Sequence, residues 1–589
     1  MRLPNWLKRS LDFLVSPAAV PLFLFLLALL AYAPRLADLG FYWDDFPKLW
    51  ISQRFGAQGL AEFFAYDRPL WGVLYQLTTP VFGTNALAWH LFALVLRWGC
   101  AVLVWLLLRR LWPGRDQLAA AAAAFHLVYP GFSQQYVALV FSHYYLVLGA
   151  SLLSLYLMLR AAQSPKRRLA WTLAALAASA LNLFTTEYFF FPDLLRPLLL
   201  WFVLADGLPW RKRLGKTLLA WLPYLLLFGA ALYWRVFIQG FLRYEPTLAE
   251  QLLSAPAAAL PELLARAARD LWITTGGAWQ RALNALLSLA AQERATQLGF
   301  LALGLLAAGL SALFFWRFAR AEKPALKAAW QPLAAALVSL VLAGGSFWAV
   351  DLPIGVEFTA DRFTMPFMFG AGLLLAVLIG LLPLGRLGRG LGFGLLLGLA
   401  VGMQFVNAQA YRRDWVYQQN LFWQMSWRIP ALQEGTTLLI NESDMPHYTD
   451  NSLTAPLNWL YDPAATSREM KYWLAWPSMR LGVEIPALTP GLPINVDYRA
   501  ATFSGSTDQL LAVLYNPPAC LRVLDPEVDR HAGIVPDRLK QALPLSRLDL
   551  IRADAAPAQP LPALYGSQPA RRWCYYFETA DLARQRGDW

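Results

Sequence analysis

The sequence predicts a mainly α-helical protein, a polytopic bundle of membrane spans followed by a C-terminal α/β domain. Of its 589 residues, 58% are hydrophobic and 15% are charged, whereas soluble domains carry about 25% charged residues. The mean hydropathy is +0.40. The long apolar runs stop at Tyr411, where short β-like runs begin. These observations exclude a disordered chain and an ordinary soluble enzyme.

Eleven segments are long and apolar enough to be membrane spans, since a span needs about 20 apolar residues. Two sizeable loops interrupt them, at residues 38–85 and 239–296, and the predicted membrane domain covers residues 18–410. The predicted spans are residues 18–37, 86–108, 117–131, 137–159, 169–185, 188–204, 218–238, 297–316, 329–349, 363–384 and 391–410.

The charges of the connecting segments predict the orientation. The six segments on the side of the N-terminus carry 20 Lys and Arg against four acids. Positive charge marks the cytoplasmic side, so residues 1–17 should be cytoplasmic, and eleven spans then place residues 411–589 outside. We therefore expect a multi-pass protein of the cytoplasmic (inner) membrane. Residues 1–410 have a net charge of +14 and residues 411–589 one of −2; since the basic excess lies in the apolar part, no nucleic-acid partner is expected.

The tail from Tyr411 reads as an extracytoplasmic α/β domain. Short β-like runs at 437–440, 510–515 and 521–524 are separated by Pro and Asn turns, the pattern of strands bounded by turns. Cys520 and Cys574 both fall in this exported domain. A disulfide can persist there, but the sequence leaves open whether the two cysteines pair.

The first outer loop opens with two adjacent carboxylates, Asp44 and Asp45. A simple interpretation is that an acidic pair marks a non-cytoplasmic loop. However, aromatic neighbours raise the cost of the ionised form, which is how a general base is tuned. Arg68 follows in the same loop and could hold a phosphate. The aromatic neighbours are Phe41, Tyr42, Trp43 and Phe46.

Five further polar or charged residues on the predicted outer side are candidate substrate-binding residues. Glu187 and Tyr188 lie in a short turn between two spans, Arg235 lies near the outer end of another span, and Asp361 and Arg362 open a late one. Interfacial anchoring explains any single outer arginine. Several arginines together on an otherwise acidic side favour a phosphate-bearing ligand.

Three charges lie inside predicted spans. Asp193 and Arg196 have i, i+3 spacing and can form an ion pair on one helix face. Arg97 has no partner visible in the sequence, so we expect it to face a polar cavity.

Several motifs are missing. The sequence has no P-loop, no Gly-x-Gly-x-x-Gly at a strand–helix junction, and no His/Cys set with zinc spacing. The polar stretch 441–450 could hold a metal, but a loop after a strand is the favoured interpretation. A nucleotide-sugar enzyme of the soluble type is disfavoured, so a sugar donor should be a lipid.

Taken together, the layout and short motifs resemble the multi-spanning GT-C glycosyltransferases, such as protein O-mannosyltransferase-like and bacterial lipid A aminoarabinose transferase-like enzymes. The resemblance implies transfer of a sugar from a polyprenyl phosphate, with inversion, to an extracytoplasmic glycan, lipid or protein. It implies that Asp44 or Asp45 is the base and that arginines hold the phosphate. The motifs are Tyr42-Trp43-Asp44-Asp45, Arg68-Pro69, the Glu187 turn, and Ala360-Asp361-Arg362-Phe363.

One position departs from that family. Many relatives carry an acid in the second outer loop, where this chain has Gln134 and Gln135. Both side chains are neutral and poor metal ligands, so this departure argues against a divalent-metal mechanism without deciding it, and no cofactor is expected. The expected partners are the polyprenyl-phosphate-linked sugar, membrane lipids and an unidentified acceptor. The alternatives are a transporter or flippase of lipid-linked sugars, and a polysaccharide ligase or polymerase.

Overall fold

The computed structural model describes residues 16–204, 209–240, 245–318, 326–442 and 445–588. The predicted cytoplasmic segment 1–17 lies outside these ranges except for its last two residues. The chain is mainly helical, and its strands all lie after residue 435. The predicted fold class, a mainly α membrane bundle with a C-terminal α/β domain, is confirmed.

Sixteen α-helices precede the tail strands in the described ranges. In chain order they are α1 Val20–Tyr32, α2 Asp45–Ala65, α3 Pro69–Phe82, α4 Ala86–Leu111, α5 Asp116–Leu127, α6 Ala138–Gln163, α7 Arg168–Thr185, α8 Arg196–Val203, α9 Trp210–Tyr233, α10 Thr247–Ser254, α11 Pro256–Trp272, α12 Ala278–Leu287, α13 Arg294–Phe318, α14 Leu326–Trp348, α15 Met368–Leu381 and α16 Arg386–Arg428.

Within the described ranges, eight helices are long and apolar enough to cross a membrane, and each overlaps one of the eleven predicted spans. The chain is a membrane protein; its orientation stays a prediction. The eight helices are Pro17–Asp38, Ala86–Leu111, Ala138–Gln163, Trp210–Gln239, Arg294–Phe318, Ala329–Trp348, Ala360–Leu381 and Arg386–Arg428.

The other three predicted spans are shorter or broken helices. Segment 117–131 contains the 12-residue α5, and 169–185 is the 18-residue α7. Segment 188–204 consists of two 3₁₀ turns followed by the eight-residue α8. Pro192 and Pro197 lie at the starts of the second turn and of α8, the helix position at which a missing backbone N–H costs least.

Contacts within the chain form two compact units, which differ from the linear domain boundaries. The bundle unit comprises 16–36, His90–Gln135 and Phe141–Gln409. The tail unit comprises Ala37–Trp89, Tyr136–Val140 and 410–588. The first outer loop, which contains α2 and α3, thus belongs with the tail.

In the bundle unit, small residues let two helices approach closely. A Cβ added at Gly398 of α16 would lie 2.5 Å from the Gly304 oxygen of α13, and one at Gly394 would lie 2.5 Å from the Ala308 oxygen. Such spacing is typical of membrane helix packing. It explains Gly390, Gly394 and Gly398 of the 385–398 stretch without any ligand.

The tail unit contains two sheets. In the first, the order is β3-β1-β6-β7; β1 is parallel to β3 and β6, and β7 is antiparallel. In the second, the order is β2-β5-β4. Every residue of β1 is buried, as expected for a central strand of a parallel sheet. The strands are β1 Thr436–Ile440, β2 Glu469–Met470, β3 Tyr472–Ala475, β4 Pro493–Asp497, β5 Thr502–Ser506, β6 Leu510–Leu514 and β7 Arg522–Val523.

Five further helices complete the tail, and a disulfide joins two of its segments. Cys520, before β7, is bonded to Cys574 in α21, with a Cα–Cα distance of 5.2 Å. This is the pairing that the sequence left open. The helices are α17 Asp450–Tyr461, α18 Pro477–Arg480, α19 Asp537–Ala542, α20 Pro562–Tyr565 and α21 Trp573–Arg586.

Candidate functional site

The acidic pair of the first outer loop lies in the tail unit, where α2 begins. The loop turns tightly, because the Asp45 N–H donates to the Tyr42 oxygen at 2.8 Å. Trp43 has a φ of 45°, in the left-handed region that large non-glycine residues rarely adopt. The two carboxylates consequently enter different surroundings.

Asp45 points inward and is fully buried. Its Oδ1 accepts a hydrogen bond from the Val140 N–H at 3.0 Å, and its Oδ2 accepts one from the Tyr42 N–H at 3.4 Å. Burial raises the pKa of Asp45 to about 8, although both backbone donors and the nearby Lys48 oppose this shift. Asp45 therefore braces the loop by its backbone contacts.

Asp44 points outward, with 55% of its side chain exposed. The Lys48 ammonium, one helical turn later, donates to Asp44 Oδ2 at 3.0 Å and to its backbone oxygen at 3.2 Å. Only 7% of the Lys48 side chain is exposed, and burial lowers the pKa of this amine. Asp44 is thus the member of the pair that a substrate in solution can reach.

Sequence reasoning missed two tail residues beside this pair, Tyr498 and Arg499. Burial, with the negative charges of Asp44 and Asp450, raises the pKa of the Tyr498 phenol well above 10.0. The Arg499 charge acts on Lys48. Both residues lie between β4 and β5, and no sequence pattern marks them.

Arg68, the predicted phosphate binder of this loop, lies directly before α3 in the tail unit and is half-buried. The residue before it, Asp67, is paired with Arg499 at 3.3 Å. Arg499, which lies more than 400 positions further along the chain, is therefore paired with the residue directly before Arg68.

Behind the acidic loop lies a buried pair, Asp414 and His447, each with 6% of its side chain exposed. The His447 Nδ1 lies 2.7 Å from Asp414 Oδ2, and the His447 backbone N–H donates to the same oxygen at 3.1 Å. The imidazole stacks on the Tyr411 ring, with centroids 3.6 Å apart. No sequence pattern links these two residues, because they are 33 positions apart.

In the bundle unit, Glu187 and Arg235 form an ion pair with 3.4 Å between Oε2 and Nη2. Their side chains are 30% and 22% exposed. Glu187 opens a 3₁₀ turn that Thr186 caps, and Arg235 lies in the π-helical turn that extends α9. Two residues predicted separately therefore meet at one half-exposed position.

Tyr188 and Arg362 share an aromatic cluster in the same unit. Tyr188 is buried, and its ring centroid lies 4.8 Å from that of Tyr144, 5.3 Å from that of Phe347 and 5.9 Å from that of Phe363. The Arg362 guanidinium lies 4.8 Å from the Phe363 ring. Tyr188 is thus a packing residue here, while Arg362 adds a cation at the edge of the cluster.

Asp361 is fully buried in an internal network of the bundle unit. Its Oδ2 accepts hydrogen bonds from the Ser133 N–H, at 2.9 Å, and from the Ser133 hydroxyl; its Oδ1 accepts one from the Gln134 amide. Gln134 also donates to the Thr359 oxygen at 3.1 Å. In this arrangement Asp361 holds the 133–134 turn.

Arg97, which was expected to face a polar cavity, has hydrogen-bond partners that the sequence did not reveal, and the cavity stays a prediction. It is fully buried, and it donates to the Leu127 oxygen at 2.7 Å, to Gln135 Oε1 at 3.2 Å and to the Tyr145 hydroxyl at 2.9 Å. Its guanidinium also lies 4.4 Å from the Tyr32 ring. These partners from other segments bind Nε and Nη1 of the guanidinium, whereas its buried Nη2 has no hydrogen bond.

The intramembrane ion pair of Asp193 and Arg196 is confirmed. The Arg196 Nε and Nη2 atoms donate to Asp193 Oδ2 and Oδ1 at 2.9 and 2.5 Å. Arg196 Nη2 also donates to the hydroxyls of Ser154 and Ser179. Both charged residues are buried, so each neutralises the charge of the other inside the bundle.

No protein-family model and no curated protein sequence matches this chain. Among solved structures, the chain is similar to the crystal structure of the Archaeoglobus fulgidus oligosaccharyltransferase in complex with zinc and sulfate. The sequence identity is 15% and the TM-score is 0.34, over 69% of this chain and 55% of that one. This chain therefore spans just over half the length of the archaeal protein. At this TM-score the similarity carries no argument.

Proposed function

We propose that this protein is a membrane glycosyltransferase that transfers a sugar from a polyprenyl-phosphate donor to an extracytoplasmic acceptor, with inversion. One observation carries the proposal: two adjacent carboxylates of the first outer loop have opposite surroundings. Asp44 is exposed beside a lysine, and Asp45 is buried with a pKa of about 8. Pairs of titratable groups whose surroundings differ in this way mark acid–base sites in enzymes.

In the proposed reaction, Asp44 is the general base. The acceptor hydroxyl or amine loses its proton to the Asp44 carboxylate while its oxygen or nitrogen attacks the anomeric carbon of the sugar. The bond from that carbon to the phosphate oxygen breaks with both electrons going to the phosphate. Because attack comes from the face opposite the leaving group, the anomeric configuration inverts. A positioned base of this kind contributes about 10²–10⁴-fold to the rate.

Lys48 has two effects on that base. Its ammonium lies 3.0 Å from Asp44 Oδ2 and orients that oxygen. Its own position is fixed by burial, so the charge stays at one side of Asp44. One oxygen of Asp44 thus contacts Lys48, and we assign the exposed carboxylate to the acceptor.

The leaving phosphate gains negative charge as the sugar departs, and we assign Arg235 and Arg362 to offset it. Charge-assisted hydrogen bonds from guanidinium to phosphate are among the strong ones, and they are worth most where charge develops in the transition state. Glu187 pairs with Arg235 at 3.4 Å and would hold its guanidinium in place. We assign Arg68 to the same donor as a further phosphate contact.

The proposed reaction uses no metal ion. A hard divalent cation takes carboxylate oxygens as ligands, but both Asp45 oxygens accept backbone N–H groups and Asp44 contacts an ammonium. In the second outer loop, Gln135 Oε1 accepts hydrogen bonds from Arg97 and Tyr145. These donor sets do not fit a metal.

A transporter is less well supported by the same contacts. The intramembrane charges that would suit one, Arg97, Asp193 and Arg196, are all bonded to partners inside the bundle. The contacts of the acidic pair suit a base acting on an acceptor, and they do not favour a polysaccharide ligase or polymerase over the proposed transferase.

The test is transfer of radiolabelled hexose or pentose from polyprenyl phosphate, in proteoliposomes supplied with a cell-envelope extract as acceptor. Asp44→Asn should lower kcat by about 10²–10⁴-fold with little change in donor KM. Asp45→Asn keeps a hydrogen-bonding side chain of the same shape and should lose far less. Arg362→Ala should impair both kcat and KM, because the phosphate is present in ground and transition states alike.

The control is Asp38→Asn, which removes an exposed carboxylate of the same unit and should leave transfer unchanged. Transfer at the wild-type rate by the Asp44→Asn protein would refute the assignment of the base. Retention of both kcat and donor KM by Arg362→Ala would refute its phosphate role.

A further inference from the structure

The backbone that carries the Asp44 carboxylate needs support from outside its own loop. Trp43 has a φ of 45°, and a large residue keeps this strained conformation only when its surroundings hold it there. A loop with that strain relaxes when its contacts are removed. The contacts of residues 40–43 therefore decide where Asp44 points.

The first of these contacts is made by His447. The Trp43 N–H donates to the His447 backbone oxygen at 3.0 Å. His447 is itself held at two points by one atom, because its backbone N–H and its Nδ1 both lie within hydrogen-bonding distance of Asp414 Oδ2, at 3.1 and 2.7 Å. A single carboxylate oxygen thus fixes both the main chain and the ring of the residue that holds Trp43.

One face of α16 holds the rest of the loop. Tyr411, Asp414 and Trp415 are spaced i, i+3, i+4, so they lie on the same side of the helix. The Tyr42 hydroxyl donates to the Tyr411 oxygen at 3.0 Å. Gly40 lies so close to the Trp415 ring that an added Cβ would come within 2.2 Å of it. The loop therefore packs directly on this helix.

We propose that Asp414 and His447 are positioning residues that hold the Trp43 backbone and, through it, the Asp44 carboxylate in its working orientation. The inference rests on the proposed function of Asp44 as the base. In this proposal, the part of α16 after residue 410 and the segment before α17 form a rigid support for the first outer loop.

Burial of Asp414 and His447 costs free energy of solvation, and packing alone does not explain why the pair is buried. Taking a carboxylate out of water is expensive, and an apolar pair of similar volume is often as stable. An oxygen at the position of Asp414 Oδ2, however, is the acceptor for two N–H groups of His447 at once. Geometry rather than net stability is what the pair supplies, and geometric errors of about 1 Å in a catalytic group can cost about 10²-fold in rate.

The variants separate the oxygen from the charge. Asp414→Asn retains an oxygen that can accept both N–H groups, whereas Asp414→Leu removes it at similar volume. His447→Asn retains a side-chain N–H donor, whereas His447→Leu does not. The matched control is Asn458→Leu, which removes three hydrogen bonds from the same unit, to the Thr454 and Tyr472 oxygens and from the Tyr472 N–H; none of the three involves the acidic loop.

Two quantities are measured on each full-length protein in proteoliposomes. The first is kcat and donor KM for sugar transfer. The second is backbone hydrogen–deuterium exchange of the peptide covering residues 40–46, which reports the Trp43 N–H bond whether or not the protein transfers sugar.

We expect both leucine variants at 414 and 447 to lower kcat by about 10²-fold with donor KM within about twofold, and to speed exchange of the 40–46 peptide. Both asparagine variants should restore kcat to within about threefold of wild type and restore slow exchange. The control at Asn458 should lower thermal stability without affecting either quantity.

Wild-type kcat and slow exchange in Asp414→Leu would overturn the proposal. So would an Asp414→Asn protein as inactive as the leucine variant with its 40–46 exchange still slow, because charge rather than position would then matter. If the wild-type protein transfers no sugar, the proposed function fails, while the exchange rates still decide whether Asp414 and His447 hold the loop.

Discussion

Replacing Asp45 by Asn should change how the stability of the protein depends on pH. Burial raises the pKa of Asp45 from 3.8 to about 8. Between these two values, the folded protein holds a proton that the unfolded chain has released. The free energy of unfolding therefore falls as pH rises through this window, and it becomes flat above it.

The size of the effect follows from that shift. Each pH unit inside the window changes the free energy of unfolding by up to about 1.4 kcal/mol. Asn carries no charge at any pH, so the variant lacks this contribution. Between pH 5 and pH 7, the stability of Asp45→Asn relative to wild type should rise by about 2.7 kcal/mol. Any loss from an imperfect hydrogen bond to the Val140 N–H adds a constant and does not change this slope.

The assay is denaturant unfolding of the purified full-length protein in detergent at pH 5, 6, 7 and 9. The difference between variant and wild type should rise with pH up to about 8 and then stay level. Asp38→Asn is the control, because it removes a half-exposed carboxylate whose pairing with Arg412 spans 3.8 Å and which should matter little at any pH. A difference between Asp45→Asn and wild type that is the same at all four pH values would refute the reasoning.

Three further predictions concern the buried ion pair, the disulfide and the orientation of the chain in the membrane. Asp193→Asn should lower the free energy of unfolding by about 3–5 kcal/mol, because it leaves Arg196 buried without its carboxylate. Adding Arg196→Leu should recover most of this loss in the same unfolding assay. Equal losses in the single and double variants would contradict the ion pair. Cys520→Ser should lower the free energy of unfolding by on the order of 4 kcal/mol in the chain-entropy model, since the bridge to Cys574 joins residues 54 positions apart. A reducing agent should destabilise the wild type but not this variant. Equal effects on both proteins would argue against the bridge. A reporter fused after Trp589 should be active only outside the cytoplasm, and cytoplasmic activity alone would overturn the predicted orientation.

The spans illustrate how far the sequence reaches. Runs of about 20 apolar residues are sufficient to predict a membrane helix, because the bilayer imposes that length, and eight of the eleven predicted spans are such helices in the structure. Segment 188–204 has the right hydropathy but breaks into short pieces at Pro192 and Pro197. Hydropathy averages over a window and is insensitive to a missing backbone N–H.

The charged residues inside the bundle differ in whether the sequence reveals their partners. Asp193 and Arg196 could be paired from the sequence because helical periodicity brings residues three apart to one face. Arg97 could not, since its acceptors lie at Leu127, Gln135 and Tyr145. Partners separated by a chain reversal leave no periodic trace in the sequence.

Composition, periodicity and loop charge by themselves determined that this is a helical membrane protein with a C-terminal α/β domain, because these properties are local and add up along the chain. Only the tertiary structure decided which of two adjacent carboxylates is buried. That outcome depends on the Val140 N–H, 95 positions from Asp45, and on a loop held by His447, 404 positions after Trp43. Solvation and hydrogen bonding of a side chain are set by whatever packs against it, and for Asp44 and Asp45 those neighbours come from distant segments of the chain.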